Sequence, residues 1–142
     1  WLTLTGRGLN IKPSDNIEML RALGRDPKVI KETRVDTIWG LVNLMDAALR
    51  SAPDFKSKSL ILYGDKDEVI RKGPTDQMLG NLPAAAKGRQ LLHRYEGGYH
   101  MLLRDLQGDV VLRDILTWIK DPARDLPSGA DKGDPHLRFT KR

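Results

Sequence analysis

The sequence predicts an α/β fold: two parallel strands with flanking helices in the second half of the chain, preceded by helical segments. Three observations carry this. Leu60-Ile61-Leu62-Tyr63 is a continuous apolar run of strand length ended by Gly64, as suits a strand buried on both faces of a parallel sheet. Gln90-Leu91-Leu92-His93-Arg94-Tyr95 is a second strand, more polar and so nearer a sheet edge, reached by a connection long enough to cross over between parallel neighbours. Apolar residues at helical spacing lie before and after this pair.

Taken in order, Thr5 to Pro13 is glycine-rich and ends in proline, which predicts an irregular opening loop. Asp15 and Glu18 form a capping-box pattern ahead of a short helix with Ile17 and Leu20 on one face, stopped by Gly24 and Asp26-Pro27. From Asp36, Ile38, Leu41, Val42, Met45, Ala48 and Leu49 form an apolar helical stripe that Pro53 closes. After the first strand, Arg71 to Asn81 reads as a loop and a weak helix. After the second, Val111, Leu112, Ile115, Trp118 and Ile119 have the period of a helix packed on a sheet and ending near Asp121-Pro122. Residues 121–142 mix prolines, glycines and alternating charges with little to bury, which predicts a flexible tail.

Composition narrows the function classes. In 142 residues, 39% are hydrophobic, enough for a packed core. The net charge of +5 is scattered along the chain, so nothing marks a nucleic-acid surface. The absence of cysteine removes disulfides and thiol chemistry and fits a reducing, cytoplasmic compartment. No stretch approaches the roughly 20 apolar residues of a membrane span, and the first residues lack a signal-peptide pattern. A first residue Trp1 in place of Met is expected of a segment of a longer product.

Two loops follow the strands: Gly64-Asp65-Lys66-Asp67-Glu68-Val69-Ile70 and Tyr95-Glu96-Gly97-Gly98-Tyr99-His100-Met101-Leu102. In open α/β sheets ligands bind beyond the strands' carboxyl ends, so an acid and a histidine there face one crevice. A serine hydroxyl becomes nucleophilic when an imidazole takes its proton and a carboxylate fixes that imidazole's tautomer. Asp67 is placed to orient and His100 to shuttle the proton, in the chain order acid then histidine.

With these loops the chain resembles the monoacylglycerol lipase and lysophospholipase group of α/β-hydrolases over most of residues 1–120. Leu60 to Asp67 matches the group's strand, glycine and acid, and Tyr95 to Leu102 matches its strand and general base. The resemblance implies the C-terminal part of an α/β-hydrolase fold, holding the last two parallel strands in residues 56–120, with cap helices in 1–55. It implies catalytic roles for Asp67 and His100 and no cofactor. Ser14, Ser51, Ser57, Ser59 and Ser128 all lack the glycines of the group's G-x-S-x-G elbow. The nucleophile is therefore absent from these residues, and the chain alone is not expected to hydrolyse esters.

The other histidines read as bland: His93 as an edge or solvated strand residue, His136 as part of the tail. No spacing suits a metal, and none is expected. Trp39 and Met45 of the same helix, with Met101 beside the histidine, are the candidate contacts to an ester or lipid substrate, although ordinary helix packing accounts for most of its apolar residues. A sheet lacking its earlier strands exposes an unpaired edge, so the chain is expected to stay bound to its missing N-terminal half or to self-associate, for instance as a domain-swapped dimer. Two alternatives stay open: a noncatalytic binding module on the same scaffold, and an epoxide hydrolase or dehalogenase with an upstream aspartate nucleophile.

Overall fold

The computed structural model of the chain describes residues 2–6, 8–86 and 88–130. Along them the order is β1 (Thr3–Thr5), α1 (Ile17–Arg25), β2 (Glu32–Arg34), α2 (Val35–Ser51), a 3-10 turn (Ala52–Asp54), β3 (Ser59–Gly64), α3 (Lys72–Gly80), a second 3-10 turn (Ala84–Ala86), β4 (Gln90–Tyr95) and α4 (Gly108–Lys120).

The apolar runs of the second half form the expected parallel pair. β3 and β4 lie side by side from Ser59 opposite Gln90 to Gly64 opposite Tyr95, so both strands end at the same level. Tyr63, Leu79 and Leu92 make a small buried core, with Ile61, Met78 and Leu82 packed around it, so the crossover through α3 closes over one face of the pair. Contrary to the prediction of a strand buried on both faces, Ser59 to Leu62 are only half-buried. Among the described residues β3 pairs with β4 alone, which leaves its other edge without a strand.

His93 is buried in β4 rather than solvated, which corrects the sequence reading. Neighbouring strand residues point to opposite faces, and Leu92 and His93 are both enclosed, so both faces of β4 are covered at this level. At the start of the strand Gln90 is buried as well, its amide donating to the carbonyls of Phe55 and Ser57 and so fixing the chain that leads into β3.

The first half departs further from the sequence. Thr3–Thr5 pairs antiparallel with Glu32–Arg34, a contact between two short polar segments that carries no periodic signal. Asn16, not Asp15, caps α1, its Oδ1 accepting from the Met19 N–H at 3.1 Å. Asp15 instead accepts from the Leu106 N–H at 2.8 Å, a partner far along the chain that local patterning cannot reveal. The helix carrying the apolar stripe, α2, forms where predicted, running on directly from β2 and into the following 3-10 turn. Val35, Leu41, Val42, Leu44 and Met45 nevertheless stay exposed, and Trp39 is 67% exposed. Asp36 in the first turn is held below the usual carboxylate range by the Arg34 guanidinium beside it.

α4 turns inward part of the face its hydrophobic period marks, rotated so that Asp114 joins it. Val111, Asp114, Ile115 and Trp118 point in, while Leu112 and Ile119 are exposed. The cause is polar: fully buried Asp114 accepts from the Tyr95 hydroxyl at 2.8 Å and from the Ser128 backbone N–H at 3.0 Å, and the Ser128 hydroxyl also donates to it. Within residues 121–130, whose composition offers little to bury, Leu126 is buried and Ser128 is held by Asp114. The rest of that stretch, with His136, lies outside the described residues.

Burial, then the hydrogen bond to Asp114 and its charge, raises the Tyr95 phenol above its ordinary value of 10.0. The folded chain keeps this proton after the unfolded chain has lost it, so the contribution is whole below about pH 10 and fades as pH climbs beyond. Tyr95→Phe is expected to flatten the loss of stability above about pH 10, read from urea unfolding at a series of alkaline pH values.

Candidate active site

The loops that leave β3 and β4 are knitted together at the carboxyl end of the pair. The Asp65 N–H donates to the Tyr95 carbonyl at 3.0 Å and the Lys66 N–H to the Gly98 carbonyl at 2.9 Å. This stacking needs glycine at Gly64 and leaves little room for a side chain at Gly98. A Cβ on Gly64 would stand 2.5 Å from the Gly98 carbonyl carbon, and one on Gly98 would stand 2.4 Å from a Leu102 methyl.

On this base the structure brings Asp67 and His100 together. His100 Nδ1 is 3.0 Å from Asp67 Oδ2. The Asp67 side chain is only 8% exposed, whereas that of His100 is 39% exposed, so the carboxylate is sheltered and the imidazole faces outward. Asp67 Oδ1 has a separate task, accepting from the N–H groups of Val69 and Ile70, each at 2.8 Å. One oxygen thus locks the turn and the other meets the imidazole. An ionised carboxylate only accepts, so Nδ1 carries the proton, leaving Nε2 as the basic nitrogen. The turn is pinned further by the Tyr63 hydroxyl, which donates to the Ile70 carbonyl at 2.9 Å. Burial, and next the Asp67 charge, raises the Tyr63 phenol above its ordinary range.

The neighbouring acids are engaged elsewhere. Asp65 forms an ion pair with Arg94 of β4, whose Nε lies 2.7 Å from its Oδ1. Glu68 accepts from the Lys12 N–H at 2.8 Å. The Lys12 and Lys66 ammonium groups lie 4.9 and 5.5 Å from the centre of the Tyr99 ring, next to His100, within cation–π range.

Met101 adjoins His100 and is half-buried, its N–H donating to the Pro13 carbonyl at 3.0 Å. Trp39 and Met45 lie exposed on α2. Among the described residues no three of His, Cys, Asp and Glu gather as a metal site.

Sequence reasoning passed over Asp105, Ser14 and Asp114. Asp105 lies five positions beyond His100, a spacing that could have drawn notice; Ser14 was weighed only as a nucleophile, and Asp114 was hidden inside an apolar helical pattern. Buried Asp105 accepts from the Ser14 hydroxyl at 2.6 Å and from the Tyr99 N–H at 2.8 Å.

A family model described as serine aminopeptidase, S33 matches residues 1–107. No curated protein matches the chain.

In Asp67→Asn the amide oxygen can still accept from Val69 and Ile70, but an N–H now faces His100 Nδ1. The imidazole is then expected to take the tautomer protonated on Nε2, with which it cannot accept a proton from a nucleophile. Nitrogen-15 NMR of the neutral imidazole reads this directly, and an unchanged tautomer would contradict the orienting role expected of Asp67.

Proposed function

Because the chain belongs to the serine aminopeptidase S33 family of α/β-hydrolases, we propose that it supplies the acid and the general base of a serine acyl-transfer site. The observation that carries this is the contact of 3.0 Å between Asp67 Oδ2 and His100 Nδ1 at the end of two parallel strands. Chain order supports it: acid then histidine is the order of the α/β-hydrolase triad.

The nucleophile in this reading is an elbow serine outside the 142 residues, since none of the serines here has the required glycines. His100 Nε2 takes the serine proton as the hydroxyl attacks a substrate carbonyl, and Asp67 stabilises the imidazolium. The tetrahedral intermediate collapses when the imidazolium gives its proton to the leaving group, and water with His100 as base then releases the acyl group. Backbone donors for the oxyanion also belong to the elbow and an upstream loop, so the chain alone is inactive.

We assign carboxylic esters of the monoacylglycerol or lysophospholipid kind as substrate. Met101 beside the base, and Trp39 and Met45 on an apolar α2, supply surface suited to an acyl chain. Residues 1–55 serve as cap and 56–120 as the end of the hydrolase sheet.

A fluorophosphonate probe is expected to label the product that carries the upstream elbow and to leave the 142-residue chain unlabelled. His100→Ala should lower turnover of p-nitrophenyl esters on the order of 10³-fold or more. Faster turnover of aminoacyl p-nitroanilides than of esters would move the substrate to peptides, and an unlabelled longer product would favour a noncatalytic binding module.

The unpaired edge of β3 and the exposed apolar side of α2 both call for cover, from the missing half or a second copy. Sedimentation of the isolated chain is expected to show a dimer or larger species, and a compact monomer without retained peptide would count against this.

A further inference from the structure

We infer that Asp105 is a positioning residue for the general base, holding the peptide that carries His100 and tying it to the junction at residues 13–16 ahead of α1. The inference rests on the proposed role of His100 and extends it to a residue that never meets substrate.

Both oxygens of Asp105 are committed. Oδ2 accepts from the N–H of Tyr99, the residue before His100, at 2.8 Å, and Oδ1 accepts from the Ser14 hydroxyl at 2.6 Å. Ser14 is completely sealed and Asp105 is 8% exposed. The Ser14 Oγ in turn accepts from the Asn16 N–H at 3.2 Å. Three more bonds join the same two stretches: Met101 N–H to the Pro13 carbonyl at 3.0 Å, Asn16 Nδ2 to the Arg104 carbonyl at 3.0 Å, and Leu106 N–H to Asp15 Oδ1 at 2.8 Å.

Stability alone is a poor reason for such a carboxylate. Burying one against neutral donors is costly, and well-packed apolar residues often serve a fold as well. What a carboxylate adds is two acceptors on one short arm. Here they join a backbone N–H adjacent to the base and a hydroxyl from a distant segment, so His100 is fixed from behind while Asp67 meets its ring. The junction at 13–16 leads directly into α1, so disorder there would be felt at His100 before it was felt in the sheet.

Two variants test this, because Asp105→Asn offers one acceptor in place of two and could fail to fold. Ser14→Ala removes the donor to Oδ1, and with it the acceptor for the Asn16 N–H, but leaves the carboxylate and its bond to the Tyr99 N–H in place. In both, exchange of the His100 Nδ1 proton and the Tyr99 amide with water should quicken about tenfold or more by NMR, as expected for loss of one buried hydrogen bond. Asp105→Glu, which keeps two acceptors, should recover most of the protection. In the longer product with its elbow serine, Ser14→Ala should lower kcat about tenfold and leave KM within about twofold, the pattern of a misplaced base. A scaffold role alone would lower the melting temperature and leave the His100 signals unchanged in the folded protein, and that result overturns the inference. Asp67→Asn separates the two levels. If it shifts the His100 tautomer while Ser14→Ala and Asp105→Asn leave exchange unchanged, only the positioning role falls; if Asp67→Asn also has no effect, the reading of the site falls with it.

Discussion

A methyl group at Gly64 would stand 2.5 Å from the backbone of Gly98, so the loops beyond β3 and β4 can lie against each other only while Gly64 lacks a side chain. This contact lets the Lys66 N–H reach the Gly98 carbonyl and brings the turn holding Asp67 against the segment holding His100. The strand register prepares it, because Gly64 and Tyr95 are opposite one another and the two loops begin at the same height. Close backbone approach, more than apolar packing, is what brings acid and imidazole within hydrogen-bonding reach.

Acidic side chains divide the remaining work. Asp65 holds Arg94, Asp67 splits its oxygens between its own turn and His100, Glu68 takes the Lys12 N–H, and Asp105 and Asp114 are buried and fully engaged. Four of these contacts link residues more than 25 positions apart, so carboxylates do much of the long-range joining in a chain whose described apolar core is small. Asp67, Asp105 and Asp114 accept at both oxygens of one compact arm, which suits them to join loops whose backbone donors would otherwise be stranded.

How much was legible in the sequence follows from this division. The strands at 59–64 and 90–95, the helix closed by Pro53 and the convergence of Asp67 with His100 all follow from local period, punctuation and the rule that α/β sites gather at strand ends. Asp15 was legible as a cap and proved to be a tether to Leu106, because a competing donor from far along the chain outbids the local one. Asp114 broke the helical pattern by turning inward, and the ten residues after α4 docked on it through Ser128 although their composition suggested nothing to bury. The β1–β2 pair was invisible for the same reason: three-residue segments acquire meaning only from the partner they meet.

The wet apolar side of α2 has a calorimetric consequence. Ordinary domains gain about 12–15 cal/mol/K per residue on unfolding because apolar surface becomes hydrated. Along α2 that hydration already exists in the folded chain, so melting this helix changes the heat capacity little and the stability curve flattens with temperature. Whatever dries this surface also restores the curvature, so a calorimeter would register its arrival as a steeper dome even where no reaction is catalysed.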